Sequence, residues 1–294
     1  MEGCPMDVVF NQVFAGLSMA SILLIIALGL AIIYGTMGVI NLAHGEFVML
    51  GAYATWALQS FAGLGVVTSI PLVFVAVAAV GWVIEKVIVQ RLYTRPLDTI
   101  LATWGIGIIL QQAITLGVGT ESHFVRGPQW LSGNVEIGSL VMSNYRLFVI
   151  AFSAAVLGVS WLLMTRTEFG MRLRAVIQNR GISECYGIEA KKVYSITFAY
   201  GAGLAGIAGA LITPLFSTIP TMGTGLVVDA FLVVIVGGLG SIIGTATAAM
   251  LIGEVTALFS IVLNDTLGRI AVLAGIIILI RFRPRGLFPS DIRR

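Results

Sequence analysis

Long apolar stretches, broken by short polar or glycine-rich segments, dominate this chain. They run at roughly 12–36, 44–61, 66–86, 99–118, 147–164, 193–213, 226–240, 242–263 and 268–281. A helix needs about 20 mainly apolar residues to cross roughly 30 Å of hydrocarbon, and several of the runs meet that length. They are continuous, without the period-two alternation of a membrane β-barrel. The pattern predicts an all-α polytopic membrane protein with about nine transmembrane segments, some short or broken. The pieces near 44–61 and 226–263 are short or rich in glycine. They read as re-entrant or broken helices, the second as either two spans or one broken pair.

The polar intervals set an orientation. With the N-terminus outside, the inner segments are 37–43, 87–98, 165–192, 241 and 282–294. Together with their edges they hold all of the 17 Lys and Arg residues except Arg126, Arg146 and Arg269. Positive charge concentrates in short cytoplasmic loops, so the chain reads as N-terminus outside, C-terminus inside, with an odd number of spans. Composition strengthens this picture. Apolar residues make up 58% of the 294 and charged residues 11%, and mean hydropathy is +1.01, whereas a soluble domain is about a quarter charged. The net charge of +3 is thus a topology signal, and no nucleic-acid partner is expected. Residues 1–10 carry Glu2 and Asp7 but no Lys or Arg, so the first run lacks the basic start of a signal peptide and reads as retained. Cys4 and Cys185 fall on opposite sides, which argues against a disulfide framework or a thiolate metal site.

Three segments carry candidate chemistry. The longest inner loop contains Met171-Arg-Leu-Arg-Ala-Val-Ile-Gln-Asn-Arg-Gly181, with Leu173, Val176 and Ile177 at helical spacing among Arg172, Arg174 and Arg180. It reads either as a docking helix for a cytoplasmic partner, bounded by Gly170 and Gly181, or as a positive-inside loop with an incidental amphipathic turn. The second segment places Asn41, His44 and Glu46 at the edge of an apolar helix, where ionisable groups are costly and face a cavity or a partner. Asn41 and His44 share a helical face by spacing while Glu46 points elsewhere. Solute contact and a structural capping role both fit. Gly45, Gly51, Ala52 and Ala54 would let another helix approach closely. The third segment, Val228 to Gly244, ends in a glycine cluster that predicts a helix break at membrane depth. It also brings Asp229, which reads as an intramembrane or outer-interface acid. The outer loop from Gly119 to Tyr145, with His123 and Trp130, reads as solvated.

No G-x-x-x-x-G-K-[ST] phosphate loop is present, nor H-E-x-x-H, nor G-x-S-x-G. The chain is therefore expected to be no enzyme, to hold no metal and to bind no cofactor itself. A solute path fits, with its energy supplied elsewhere. A passive channel, a secondary transporter using Glu46 or Asp229 as a proton relay, and an intramembrane enzyme or assembly factor stay open on the residues alone.

The run Tyr34-Gly-Thr-Met-Gly-Val-Ile-Asn-Leu-Ala-His-Gly-Glu-Phe47 resembles the signature of permeases in branched-chain amino-acid-type ATP-binding-cassette importers. Gly170 to Ile188 is similar to that family's ATPase-coupling loop, and Gly237-Gly-Leu-Gly-Ser-Ile-Ile-Gly244 to its late glycine motif. The likeness runs from about residue 10 to residue 289. It implies a single transmembrane permease domain over 1–294, with 165–192 as the cytoplasmic coupling loop carrying Arg172, Leu173, Arg174, Ala175 and Asn179. It also implies a second homologous permease, two cytoplasmic ATPases holding ATP and Mg, a periplasmic solute-binding protein, and a multi-pass location in the bacterial inner membrane. Arg95 to Gly105 with Gln111-Gln112, and Val228 to Phe231, look like the urea-permease branch. The substrate implied is urea or a short-chain amide, with branched-chain amino acids as the alternative. The translocation path expected takes in Asn41, His44, Glu46 and Asp229 from the residues above, with Thr103, Trp104, Gln111 and Gln112 added on that resemblance; packing is the other reading of the residues on the fourth run.

Overall fold

A computed structural model describes residues 5–137, 140–262, 264–283 and 286–288, which are almost entirely helical. The helices are α1 (Pro5–Met37), α2 (His44–Ala62), α3 (Val66–Val87), α4 (Pro96–Val118), α5 (Asn144–Arg166), α6 (Glu168–Gln178), α7 (Arg180–Cys185), α8 (Ala190–Ile212), α9 (Met222–Gly237), α10 (Ile242–Val262) and α11 (Asp265–Phe282). Two short strands, β1 (Asn134–Ile137) and β2 (Leu140–Ser143), pair antiparallel before α5.

Each of the nine apolar runs falls mainly on a helix, but not every helix is long and apolar enough to span. Among the described residues, six are long and apolar enough to cross a membrane: Phe10–Met37, Val66–Arg91, Pro96–Val118, Asn144–Arg166, Ala190–Ile212 and Ile242–Ile261. The other three fall short for separate reasons. Helix α9 has only 16 residues, α11 carries Asp265, Arg269 and Arg281 in 18 residues, and α2 opens on His44 and Glu46.

Helices α1 and α8 are apolar all round, and a helix of that kind belongs in the centre. Both are buried on nearly every side, with Ile25, Leu28, Ile33, Phe198, Ala205 and Leu211 wholly enclosed. Helices α2, α3, α5, α9 and α10 pack around them. Helix α10 runs antiparallel along α1, with Gly16 beside Ala257 and Gly35 beside Gly240. The outer faces of the surrounding helices present Val75, Leu101, Trp161 and Leu251, apolar surface suited to lipid.

Contacts between loops fall at two ends. At one end the Tyr93 and Tyr194 rings lie 5.2 Å apart, and the Arg180 guanidinium sits 5.9 Å above Tyr194. At the other, Gln59 exchanges two hydrogen bonds of 2.8 Å with the Arg126 backbone, and Gln12 donates to Ser260 at 2.8 Å. Most basic residues belong to the first end. Cys4, Arg285, Arg293 and Arg294 lie outside the described residues.

One expectation about the breaks is reversed. The glycine cluster is no interruption at membrane depth. Gly238 (φ 100°) and Gly240 (φ 81°) make a tight turn between two separate helices, level with Gly35 near the end of α1. The backbone N–H groups of Leu287 and Phe288 cover that turn by donating to the Val236 and Gly237 carbonyls at 2.8 and 3.2 Å. The unwound segment that does reach depth is 38–43.

Candidate functional site

After α1 ends, Gly38 (φ 69°) reverses the chain. Residues 38–43 then run back along α1 without helical structure. By His44 the chain has climbed to the middle of α1, where the imidazole Nε2 lies 3.0 Å from the Ile26 carbonyl. Irregular backbone at such depth persists only where protein satisfies it or water reaches it. Here protein does much of the work. Thr103 Oγ1 on α4 accepts from the Leu42 N–H at 3.2 Å, and Asn41 Oδ1 accepts from the Ala43 N–H at 3.1 Å. Asn41 therefore lies in the turn before α2 and does not share a helical face with His44.

The first turns of α2 and α9 meet beside this break. Gly45 lies so close to Gly223 that a Cβ on it would stand 2.1 Å from the Gly223 carbonyl oxygen. Further along, Gly51 makes the same kind of approach to Gly206 on α8. His44 points into α1, while Glu46 turns toward α4 and α9, with Gly107 on one side and Gly223 and Thr224 on the other. Asn41, His44 and Glu46 are 0%, 0% and 5% exposed, and Asn41 Nδ2, His44 Nδ1 and Glu46 Oε2 have no hydrogen-bond partner. His44 faces a carbonyl through Nε2, so that nitrogen carries the hydrogen and Nδ1 is left as an acceptor. Leaving a buried polar group unpaired costs about 1–3 kcal/mol. One donor and two acceptors around a helix break form a set that a small polar solute can complete.

The remaining residues expected on the path separate by face. Thr103 sits at the break, buried, whereas Trp104 is 58% exposed on the outward side of α4 with Leu101 and Ile108. Gln111 is half-buried and Gln112 is exposed. Asp229 lies on another face of α9 from Val227 and Ala230, within electrostatic reach of Arg269 on α11.

The segment expected to couple to an ATPase is two helices, not one. Thr167 caps α6 by accepting from the Gly170 N–H at 3.3 Å, and Asn179 caps α7 by accepting from the Ile182 N–H at 3.0 Å. Gly170 and Gly181 therefore lie inside helices, and Asn179 marks the break. Gly170 is where α6 folds onto the Met164 carbonyl at the end of α5. Leu173 and Val176 are buried, 5% and 2% exposed, against the chain's own core. Buried in this chain, the two are not free to insert into a partner. Arg174 donates to the Met164 and Thr165 carbonyls at the end of α5, and Arg172 pairs with Glu168 at 3.2 Å. Ala175 is half-buried. Among the charged side chains exposed at this end stand three apolar ones, Met171 59%, Ile182 56% and Tyr186 83% exposed. The same end has an open hollow of about 300 Å³ lined by Glu184, Gly187, Ile188, Glu189, Ala190 and Lys191.

Two groups escaped the sequence reading. Glu85, fully buried, accepts from Tyr93 and from Ser195, tying α3 and the following loop to α8. Burial, with the Glu85 carboxylate as acceptor, pushes the Tyr93 phenol well above its usual range, so the hydroxyl stays a donor. Glu85 precedes Lys86 in sequence and so looks like a solvated span end. The second group surrounds His123, half-buried within a largely exposed loop, whose ring stacks on Trp56 at 4.1 Å.

Comparison with known proteins follows the same lines. Residues 12–281 match the model of a family described as branched-chain amino acid transport system / permease component. The high-affinity branched-chain amino acid transport system permease protein BraD of Pseudomonas aeruginosa is 27% identical over 292 residues, 94% of each chain. Its counterpart LivH of Salmonella typhimurium is 28% identical over 294 residues, again 94% of each. LivH of Escherichia coli is 27% identical over 292 residues, with the same coverage. No solved structure matches the chain.

Proposed function

The chain belongs to the family of branched-chain amino acid transport system permease components, and from that premise we propose that it is one transmembrane subunit of an ATP-binding-cassette importer that carries branched-chain amino acids into the cytoplasm. The observation that carries this reading is the unwound segment 38–43, held at the middle of α1 with Asn41 Nδ2, His44 Nδ1 and Glu46 Oε2 unpartnered around it. Transporters bind their solutes near the bilayer midplane at such interruptions, where half-helix ends and polar side chains replace lost hydration. The first turns of α2 and α9 supply two helix starts at one level.

The basic end is cytoplasmic by the distribution of positive charge. Two ATPase subunits there, holding ATP and Mg, would engage Met171, Ile182 and Tyr186. Their closure would move α6 and α7, and with them the ends of α5, α1 and α8 on which α6 rests. A second permease chain and a periplasmic binding protein complete the machine. Urea, expected from residues 95–105 and 228–231, finds no support in the relatives described above, and the amino-acid alternative fits them better. The geometry gives urea little help either, since Trp104 and Gln112 face away from the bundle.

The test is uptake into proteoliposomes holding the complete importer. Leucine uptake that needs ATP, is competed by isoleucine and valine but not by urea, and falls at least tenfold in Glu46→Gln is expected. Uptake of urea without leucine would overturn the substrate, and leucine flux without ATP would overturn the importer.

A further inference from the structure

A second polar cluster lies two helical turns beyond Glu46. Tyr53 is seven residues on and therefore on the same face of α2, about 10 Å along the axis. Its ring meets His123 edge-on at 6.1 Å, and His123 stacks on Trp56 at 4.1 Å. His123 and Thr218 exchange backbone hydrogen bonds of 3.0 and 2.8 Å, which joins the loop after α4 to the loop before α9. Tyr53 and Thr218 are 3% and 0% exposed. Yet Tyr53 Oη, His123 Nε2 and Thr218 Oγ1 are all buried without a hydrogen-bond partner. Hydroxyls that merely pack find a backbone carbonyl, as Thr55 and Thr213 do nearby at 2.8 Å. Three orphaned atoms on residues in mutual contact call for a partner from outside the chain.

We propose that Tyr53, His123 and Thr218 form an entry site for the solute, the station before Glu46, which takes an sp² oxygen of that solute. All three groups can donate a hydrogen bond, and no carboxylate is among them. They suit an acceptor: the α-carboxylate of an amino acid, or the carbonyl of a neutral amide. Trp56 and His123 supply a flat wall beside it. The structure shows the site closed, with the His123–Thr218 bridge as its clasp and the Gln59–Arg126 pair anchoring that clasp to α2. Opening parts the two loops and turns the orphaned atoms toward the incoming solute. The carboxylate form of this proposal rests on the amino-acid reading above.

The experiment is equilibrium binding to the full chain in lipid nanodiscs, with L-leucine, 4-methylpentanoate (leucine without its amino group), leucinamide and urea as labelled probes. Leucine and 4-methylpentanoate are expected to bind better than leucinamide. Tyr53→Phe and Thr218→Val should each weaken binding about tenfold, the scale of one hydrogen bond to a charged group. Because the two hydroxyls have no partner in the closed state, both variants should melt at or above the native temperature. Binding of urea alone that the variants abolish would uphold the site and overturn the amino-acid reading. Binding of every probe unchanged by the variants, or a clear fall in melting temperature, would overturn the site.

Discussion

Thr103 shows how much of the central break rests on single atoms. Its hydroxyl accepts from Leu42 N–H at 3.2 Å and donates to the Ile100 carbonyl at 3.0 Å, joining an irregular segment to a regular helix. Thr103→Val keeps the shape but leaves that N–H unpaired, at about 1–3 kcal/mol. Thr103→Ser keeps the hydroxyl. The expected result is a melting temperature several degrees lower and weaker uptake for the valine variant, with the serine variant near native on both. Equal behaviour of the two would show that the hydroxyl does not hold the segment. Residue chemistry was legible in part: an asparagine, a histidine and a glutamate before an apolar run announce a costly site. Which atoms lack partners was not, because that depends on Gly223, Gly107 and Ile26, distant in sequence and brought close only by packing.

For the paired helices α6 and α7, amphipathic spacing locates the buried stripe but not what buries it. Leu173→Ala removes core packing inside the chain and should cost about 2–5 kcal/mol, seen as lower melting and less protein in the membrane. Tyr186→Ala, at a side chain 83% exposed, should leave melting unchanged while lowering co-purification of the ATPase subunits and stimulated ATP hydrolysis. The opposite pattern would return Leu173 to the docking face. Arg174 is a poor probe of docking for the same reason: it binds the carbonyl end of α5, so Arg174→Glu sets a negative charge against that end of the helix dipole. At this scale the sequence marked apolar runs clearly, since length and continuity are local properties. It marked both 44–61 and 226–263 as broken, and only the first adjoins the deep break, because glycines mark turns and close crossings alike. Only the neighbours of Gly238 and Gly45 tell the two apart.

The whole molecule has two ends and a sidedness that one thiol can report. Cys185 is exposed at the basic end. In a Cys4→Ser background, a membrane-impermeant maleimide should label Cys185 in inside-out vesicles and not in intact cells. Labelling from outside would invert the orientation. The nine apolar runs and the separation of charge were readable along the chain. That six of the described helices are long and apolar enough to span was not, since it turns on the 16-residue length of α9 and on the polar groups that α2 and α11 carry. Helix α4 lies at the margin of this arrangement. It turns Leu101, Trp104 and Ile108 outward and reaches the centre through Thr103 and Gly107. Set in a bilayer, acyl chains against that face would press on a lever whose other arm is the broken segment itself. Thickness and fluidity of the surrounding lipid become inputs to the transport cycle, and a preparation stripped of lipid should fall silent while its helices remain intact.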